Sequence, residues 1–90
     1  MNAKVEKAVL SKIDESISQS AEIRKIQESL RGIPEAGEAP FAFGLVIGRI
    51  YNSFHYQTRR ILGRNATDAE FLEFVQIISK NVNRIRQAYP

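Results

Sequence analysis

Basic and aromatic side chains recur along one side of the most apolar predicted helix. Six residues share this strip: Arg49, Asn52, Tyr56, Arg59, Arg60 and Arg64. Guanidinium groups suit phosphate oxygens, and a Tyr ring stacks on nucleobases. No Asp or Glu occurs between Glu38 and Asp68, so no acid in this stretch offsets the positive charge. The pattern predicts a surface for a polyanion such as nucleic acid, with a simply solvated helix face as the alternative.

Residue types suited to catalysis or metal binding are scarce. The chain has one His and no Cys. Ser53 lies two residues from His55 and therefore points to a different side of a helix. Glu70 and Glu73 share a helical spacing, but neither has the His three residues on that helical di-metal sites use. We therefore predict a non-catalytic protein with no cofactor and no bound metal.

Length and helix order resemble those of the small all-helical chorismate mutases, which also begin with one long helix. That resemblance implies an electrostatic site in which cationic side chains hold a dianionic substrate. The matching candidates are Arg24, Arg49 and Gln87. The predicted linker has no Lys or Arg where that family carries a substrate-binding Lys, and the second predicted helix lacks the family's acidic-Arg-Glu run. A chorismate-mutase-like enzyme is the remote alternative.

Charge is distributed unevenly over the 90 residues. Residues 1–40 hold six basic and seven acidic side chains, whereas residues 41–90 hold seven and three. The composition, 43% hydrophobic and 26% charged, is typical of a single globular domain. The longest uncharged apolar-rich run, residues 39–48, is half a membrane span. We expect a cytoplasmic protein with no membrane partner.

Hydrophobic periodicity predicts an all-α fold, an antiparallel three-helix bundle within one domain. The expected elements are helices over residues 2–31, 41–62 and 68–88, with a linker over 32–40. In the first helix, apolar residues from Val5 to Leu30 fall within an arc of about 160°. The polar residues around Ser20 indicate either a bend or the start of a second helix at Ala21, and we favour one continuous helix.

The third predicted helix has both a clear start and a broad apolar stripe. Thr67 and Glu70 have the spacing of a capping box. Six apolar residues then repeat at spacings of four and three: Phe71, Val75, Ile78, Val82, Ile85 and Tyr89. Phe74 and Ile77 lie beside this seam. The stripe is broader than two neighbouring helices need, which favours a further contact.

Gly44 and Gly48 lie four residues apart in the second predicted helix, where each costs about 0.8–1 kcal/mol relative to Ala. They predict a close approach by another helix. A chain this short without disulfides has a marginal core, so we expect a homodimer or larger assembly. The expected oligomer contacts are Val5, Val9, Leu10, Gly44, Gly48, Phe74 and Ile77. The predicted function is a self-associating interaction module serving as a subunit or adaptor for an unknown protein partner, and the alternative is a nucleic-acid-binding protein.

Overall fold

The computed structural model describes residues 1–36 and 38–90, and over these residues the chain forms four packed helices and no strand. The helices are α1 (Ala3–Ser18), α2 (Ala21–Ser29), α3 (Ala39–Leu62) and α4 (Asp68–Ala88). The all-α class is confirmed, although four helices form where three were expected. Among the described residues, no helix combines the length and the hydropathy needed to cross a membrane. Gly37, part of the predicted linker, lies outside the described residues.

The expected first helix is interrupted at Gln19 and Ser20, which separate α1 from α2. The Ser16 hydroxyl donates to the carbonyl of Lys12 at 2.8 Å, and the Gln19 N–H donates to the carbonyl of Glu15 at 2.8 Å. Ser side chains that bond to the preceding turn compete with continuation of a helix. The change of direction lets Ile23 of α2 reach the core, where it is 2% exposed.

Helix α3 is the central element, in contact with α1, α2 and α4. Every fourth residue in the middle of α3 faces inward. These five residues are all buried: Ala42, Val46, Ile50, Phe54 and Thr58. The Thr58 hydroxyl donates to the carbonyl of Phe54 at 2.8 Å, which satisfies the polar group of this row. The other three helices therefore pack around a continuous row of small, branched and aromatic side chains.

Helix α1 packs along α3 through Val5, Val9 and Ile13, all of which are buried. The break at Gln19 removes the overhang that was expected to expose Val5 and Val9, so those two residues belong to the core of the chain and not to an oligomer contact. Leu10 alone of the expected α1 contacts is exposed.

The first half of α4 departs from the predicted seam, whereas the second half follows it. Ile85 and Tyr89 of the seam are buried, but Phe71 and Val75 are 38% and 41% exposed, and Phe74 beside the seam is buried in their place. The ring of Phe74 stacks on Phe54 of α3, with centroids 4.5 Å apart and planes 13° from parallel, and this contact sets the rotation. Phe74, expected at an oligomer contact, is therefore part of the core, and the half-buried Ile77, expected there too, packs against the core.

Two hydrogen bonds hold the end of α4 against the α1–α2 junction. The Tyr89 hydroxyl donates to the carbonyl of Ser16 at 2.7 Å, and Arg24 of α2 donates to the carbonyl of Ala88 at 2.5 Å. Burial raises the pKa of Tyr89, so its hydroxyl keeps the donor proton to a higher pH than that of an exposed tyrosine. These bonds join the two chain segments that the break in the first helix separates.

The predicted capping box at the start of α4 is present. The Glu70 N–H donates to Thr67 Oγ1 at 3.1 Å, and the Thr67 N–H donates to Glu70 Oε1 at 2.8 Å. Gly63, in the left-handed conformation with φ 68°, ends α3 just before it. The turn between α3 and α4 is thus fixed by helix-end signals in the sequence.

We predict that Thr67→Ala lowers the free energy of unfolding by about 0.5–2 kcal/mol, because the N–H of Glu70 loses its acceptor. Asn65→Gln, at an exposed position of the same turn, should change it little. Urea denaturation followed by circular dichroism measures both. Equal losses in the two variants would show that Thr67 has no special role at the start of α4.

Candidate functional site

Helix α3 carries two chemically different flanks on either side of its buried row. The flank toward α4 is apolar, and the flank toward α1 is basic. Each flank meets its neighbouring helix in a shallow depression, so the two surfaces lie on different sides of the central helix. We call the surface toward α4 the apolar groove and the surface toward α1 the basic face.

The apolar groove is a depression of about 420 Å³ between α3 and α4. Its walls are Gly44, Ile47, Gly48, Tyr51, Phe71, Phe74, Val75, Ile78 and Ser79. No charged side chain is among them. A surface without charges and with several exposed apolar groups is typical of a contact with another macromolecule.

Aromatic rings form one end of the apolar groove. The ring of Tyr51 meets Phe71 edge to face at a centroid distance of 6.4 Å, and it lies 4.7 Å from the ring of His55. Tyr51 is nevertheless 47% exposed. The rings are therefore held by their neighbours while much of their surface still faces outward, a combination that favours a preformed contact surface.

Gly44 and Gly48 form the open floor of the groove. A Cβ atom added to either glycine would meet no atom of another helix within 4 Å, as far as the structure describes the chain. The close helix approach that these residues predict therefore does not occur among the described residues. Each glycine costs α3 about 0.8–1 kcal/mol relative to Ala, and no contact within residues 1–36 and 38–90 offsets that cost.

The basic face lies between α1 and α3, which run antiparallel. Lys4, Lys7 and Arg60 line a depression of about 580 Å³. Arg49 and Tyr56 line an adjoining depression of about 310 Å³, whose wall also includes Asn52, Ser53 and Lys12. Gln57 lines both depressions. No Asp or Glu is among the residues that line either one, so every charged lining residue is basic.

The predicted strip is only partly retained in this face. Arg49, Asn52, Tyr56 and Arg60 line it, whereas Arg59 is exposed but lines neither depression. Arg64 donates from both terminal nitrogens to the Glu70 carboxylate, at 2.8 and 3.2 Å. Its charge is therefore paired within the chain, at the start of α4.

Three cations of the basic face, Lys4, Lys7 and Lys12, were not predicted from the sequence. All three belong to residues 1–40, which carry a net negative charge. The sequence signal for this part of the face is the spacing of three residues between Lys4 and Lys7. It places both side chains on one side of α1, which runs antiparallel to α3. The acids Glu6 and Asp14 are not among the residues that line this face, and Asp14 pairs with Arg84 of α4 at 2.9 Å.

The residues that the chorismate-mutase resemblance singles out line no common depression in the described part of the chain. Arg24 lines one with Tyr89 at the end of α4, Arg49 lines others along α1, and Gln87 is exposed. Within residues 1–36 and 38–90, no group of three His, Cys, Asp or Glu side chains is placed to hold a metal ion. No family model, curated protein or solved structure matches this chain.

The Arg64–Glu70 ion pair should make the stability of the protein depend on pH. Hydrogen bonds from Arg64, and then from the Thr67 N–H, lower the pKa of Glu70 from 4.5 to about 2. A lowered folded-state pKa gives stability that is complete above the unfolded value and is lost as the pH falls through the folded value. Glu70→Gln should therefore be less stable than the parent above pH 4.5, and the difference should shrink toward pH 2.

Urea midpoints of parent and variant over this pH range measure that difference. The matched control is Glu35→Gln, which removes an exposed carboxylate between α2 and α3. It should give no comparable change with pH. A Glu70→Gln difference that stays constant from neutral to acid pH would contradict the assigned ion pair.

Proposed function

We propose that this protein is a non-catalytic interaction module that functions as a homodimer through its apolar groove. The observation that carries the proposal is the open space above Gly44 and Gly48. Two glycines inside a helix lower its stability, and here they leave a bare strip of backbone facing outward. Such a strip lets a second helix approach closely, a role that none of the other three described helices fills.

A second copy of the chain is the occupant that fits the groove best. The groove pairs a floor of Gly44 and Gly48 on α3 with a ridge of Phe71 and Val75 on α4. A two-fold axis near the groove would set the ridge of each copy on the floor of the other. Isologous contacts of this kind use the same patch twice and close after two subunits. The absence of charges among the lining residues also avoids repulsion between identical surfaces.

Exposed apolar side chains are available for the centre of such an interface. Tyr51, Phe71 and Val75 line the groove and are 38–47% exposed, and Leu72, next to Phe71 on α4, is 61% exposed. A stable interface buries about 800 Å² on each partner, with an apolar centre and a polar rim. Ser79, exposed in the wall of the groove, supplies a polar group at the edge of this patch.

Sedimentation velocity over a concentration series tests the proposal. We expect a species of about twice 10.2 kDa at the higher concentrations, which dissociates on dilution. Gly48→Leu should weaken dimerisation by about tenfold or more, equivalent to about 1.4 kcal/mol, because the added side chain occupies the floor of the groove. Its helical content should be retained, since nothing within the chain lies within 4 Å of the new Cβ.

Asn52→Leu is the matched control, since it adds the same side chain at an exposed position on the opposite flank of α3. It should leave dimerisation unchanged. A parent protein that remains a folded 10.2 kDa monomer at every concentration would overturn the proposal. Equal dimerisation by Gly48→Leu and the parent would instead exclude the groove as the interface.

A further inference from the structure

We propose that the basic face binds the backbone of single-stranded nucleic acid. This inference is independent of dimerisation, because the face lies on the α1 side of α3 and the apolar groove on the α4 side. Exposed basic, amide and aromatic side chains from α1 and α3, two helices that are distant in sequence, meet on this face and indicate its partner.

The cations of the basic face are free to meet phosphates. Among the residues that the structure describes, Lys4, Lys7, Arg49 and Arg60 form no salt bridge within the chain. Lys12, by contrast, pairs with Glu15 at 3.2 Å. Unpaired cations on adjoining depressions attract a polyanion, and release of the counterions of that polyanion adds to binding.

Tyr56 gives the face a group that recognises bases. The ring is 55% exposed and lies in the depression lined by Arg49 and Asn52. Stacking of a base on an exposed aromatic ring stabilises single strands, whose bases are free, more than duplexes, whose bases are already stacked. The amide groups of Asn52 and Gln57 add donors and acceptors beside the ring.

The acids nearby define where the bound strand ends. Arg49 also lines a depression at the α1–α2 junction together with Glu15 and Glu22, and these carboxylates would repel a phosphate. The strand therefore runs from Arg49 and Tyr56 toward Lys7 and Arg60. This path follows about 16 Å of α3, from residue 49 to residue 60, at 1.5 Å per residue.

An anionic membrane fits this face less well. A helix that binds at a membrane surface inserts exposed apolar side chains beside its cations. The aliphatic residues that line the basic face, Ala8 and Ile61, are half-buried, and its exposed ring, Tyr56, carries a polar hydroxyl. The exposed Phe71 and Val75 lie in the groove on the other side. The face offers charge and hydrogen bonds without an element for insertion.

Fluorescence anisotropy with a labelled mixed-sequence single strand tests this inference. We expect binding at about 50 mM salt that weakens steeply by about 200 mM, with a logarithmic slope near −3 if four phosphates are neutralised. Lys7→Gln/Arg60→Gln should reduce the magnitude of that slope by about 1.4. The matched control Lys25→Gln/Lys80→Gln removes the same charge from exposed positions on α2 and α4 and should change the slope little.

Tyr56→Leu separates stacking from charge. It should weaken binding of the single strand by about tenfold and leave binding of the matching duplex nearly unchanged. No binding at the lower salt concentration would overturn the inference, as would equal losses in the two double variants. Binding to vesicles rich in phosphatidylserine without binding to the oligonucleotide would overturn it in favour of a membrane, and an equal effect of Tyr56→Leu on strand and duplex would exclude base stacking.

Discussion

The stack of Phe54 on Phe74 is the contact on which the rest of the structure depends. It joins the central helix to the last one and fixes the rotation of α4, so that Ile85 is buried while Phe71 and Val75 face outward. Had α4 followed its most regular apolar seam, Phe71 and Val75 would lie inside and the groove would be filled. The exposed apolar surface is therefore a consequence of how the core packs.

The same packing gives α3 its two flanks. Its buried row from Ala42 to Thr58 takes one side of the helix, and the neighbours α1 and α4 leave a flank uncovered on each side of that row. One flank is bare backbone and aromatic rings, and the other is cationic. A small domain with one central helix can in this way carry two separate exposed surfaces, and we propose that one binds a second copy of the chain and the other a polyanion.

Local signals predicted the ends of helices better than they predicted the packing. The capping box at Thr67 and the glycine at position 63 depend only on neighbouring residues, so the turn between α3 and α4 was predictable. The break at Gln19 was harder to predict, because the apolar arc continues through it and the gain comes from burial of Ile23 by a different helix. The exposure of Phe71 and the meeting of Lys7 with Arg60 also depend on long-range packing, which periodicity along a single helix does not contain.

The central claim is that the bare strip of α3 is covered by a second copy of the chain. The most direct measurement is an isotope-filtered nuclear Overhauser experiment on a mixture of labelled and unlabelled protein at a concentration that favours association. The account predicts intermolecular signals between the α-protons of Gly44 and Gly48 and the Phe71 and Val75 side chains of the other copy. Intermolecular signals confined to the basic face around Lys7 and Arg60, or none at any concentration, would contradict it.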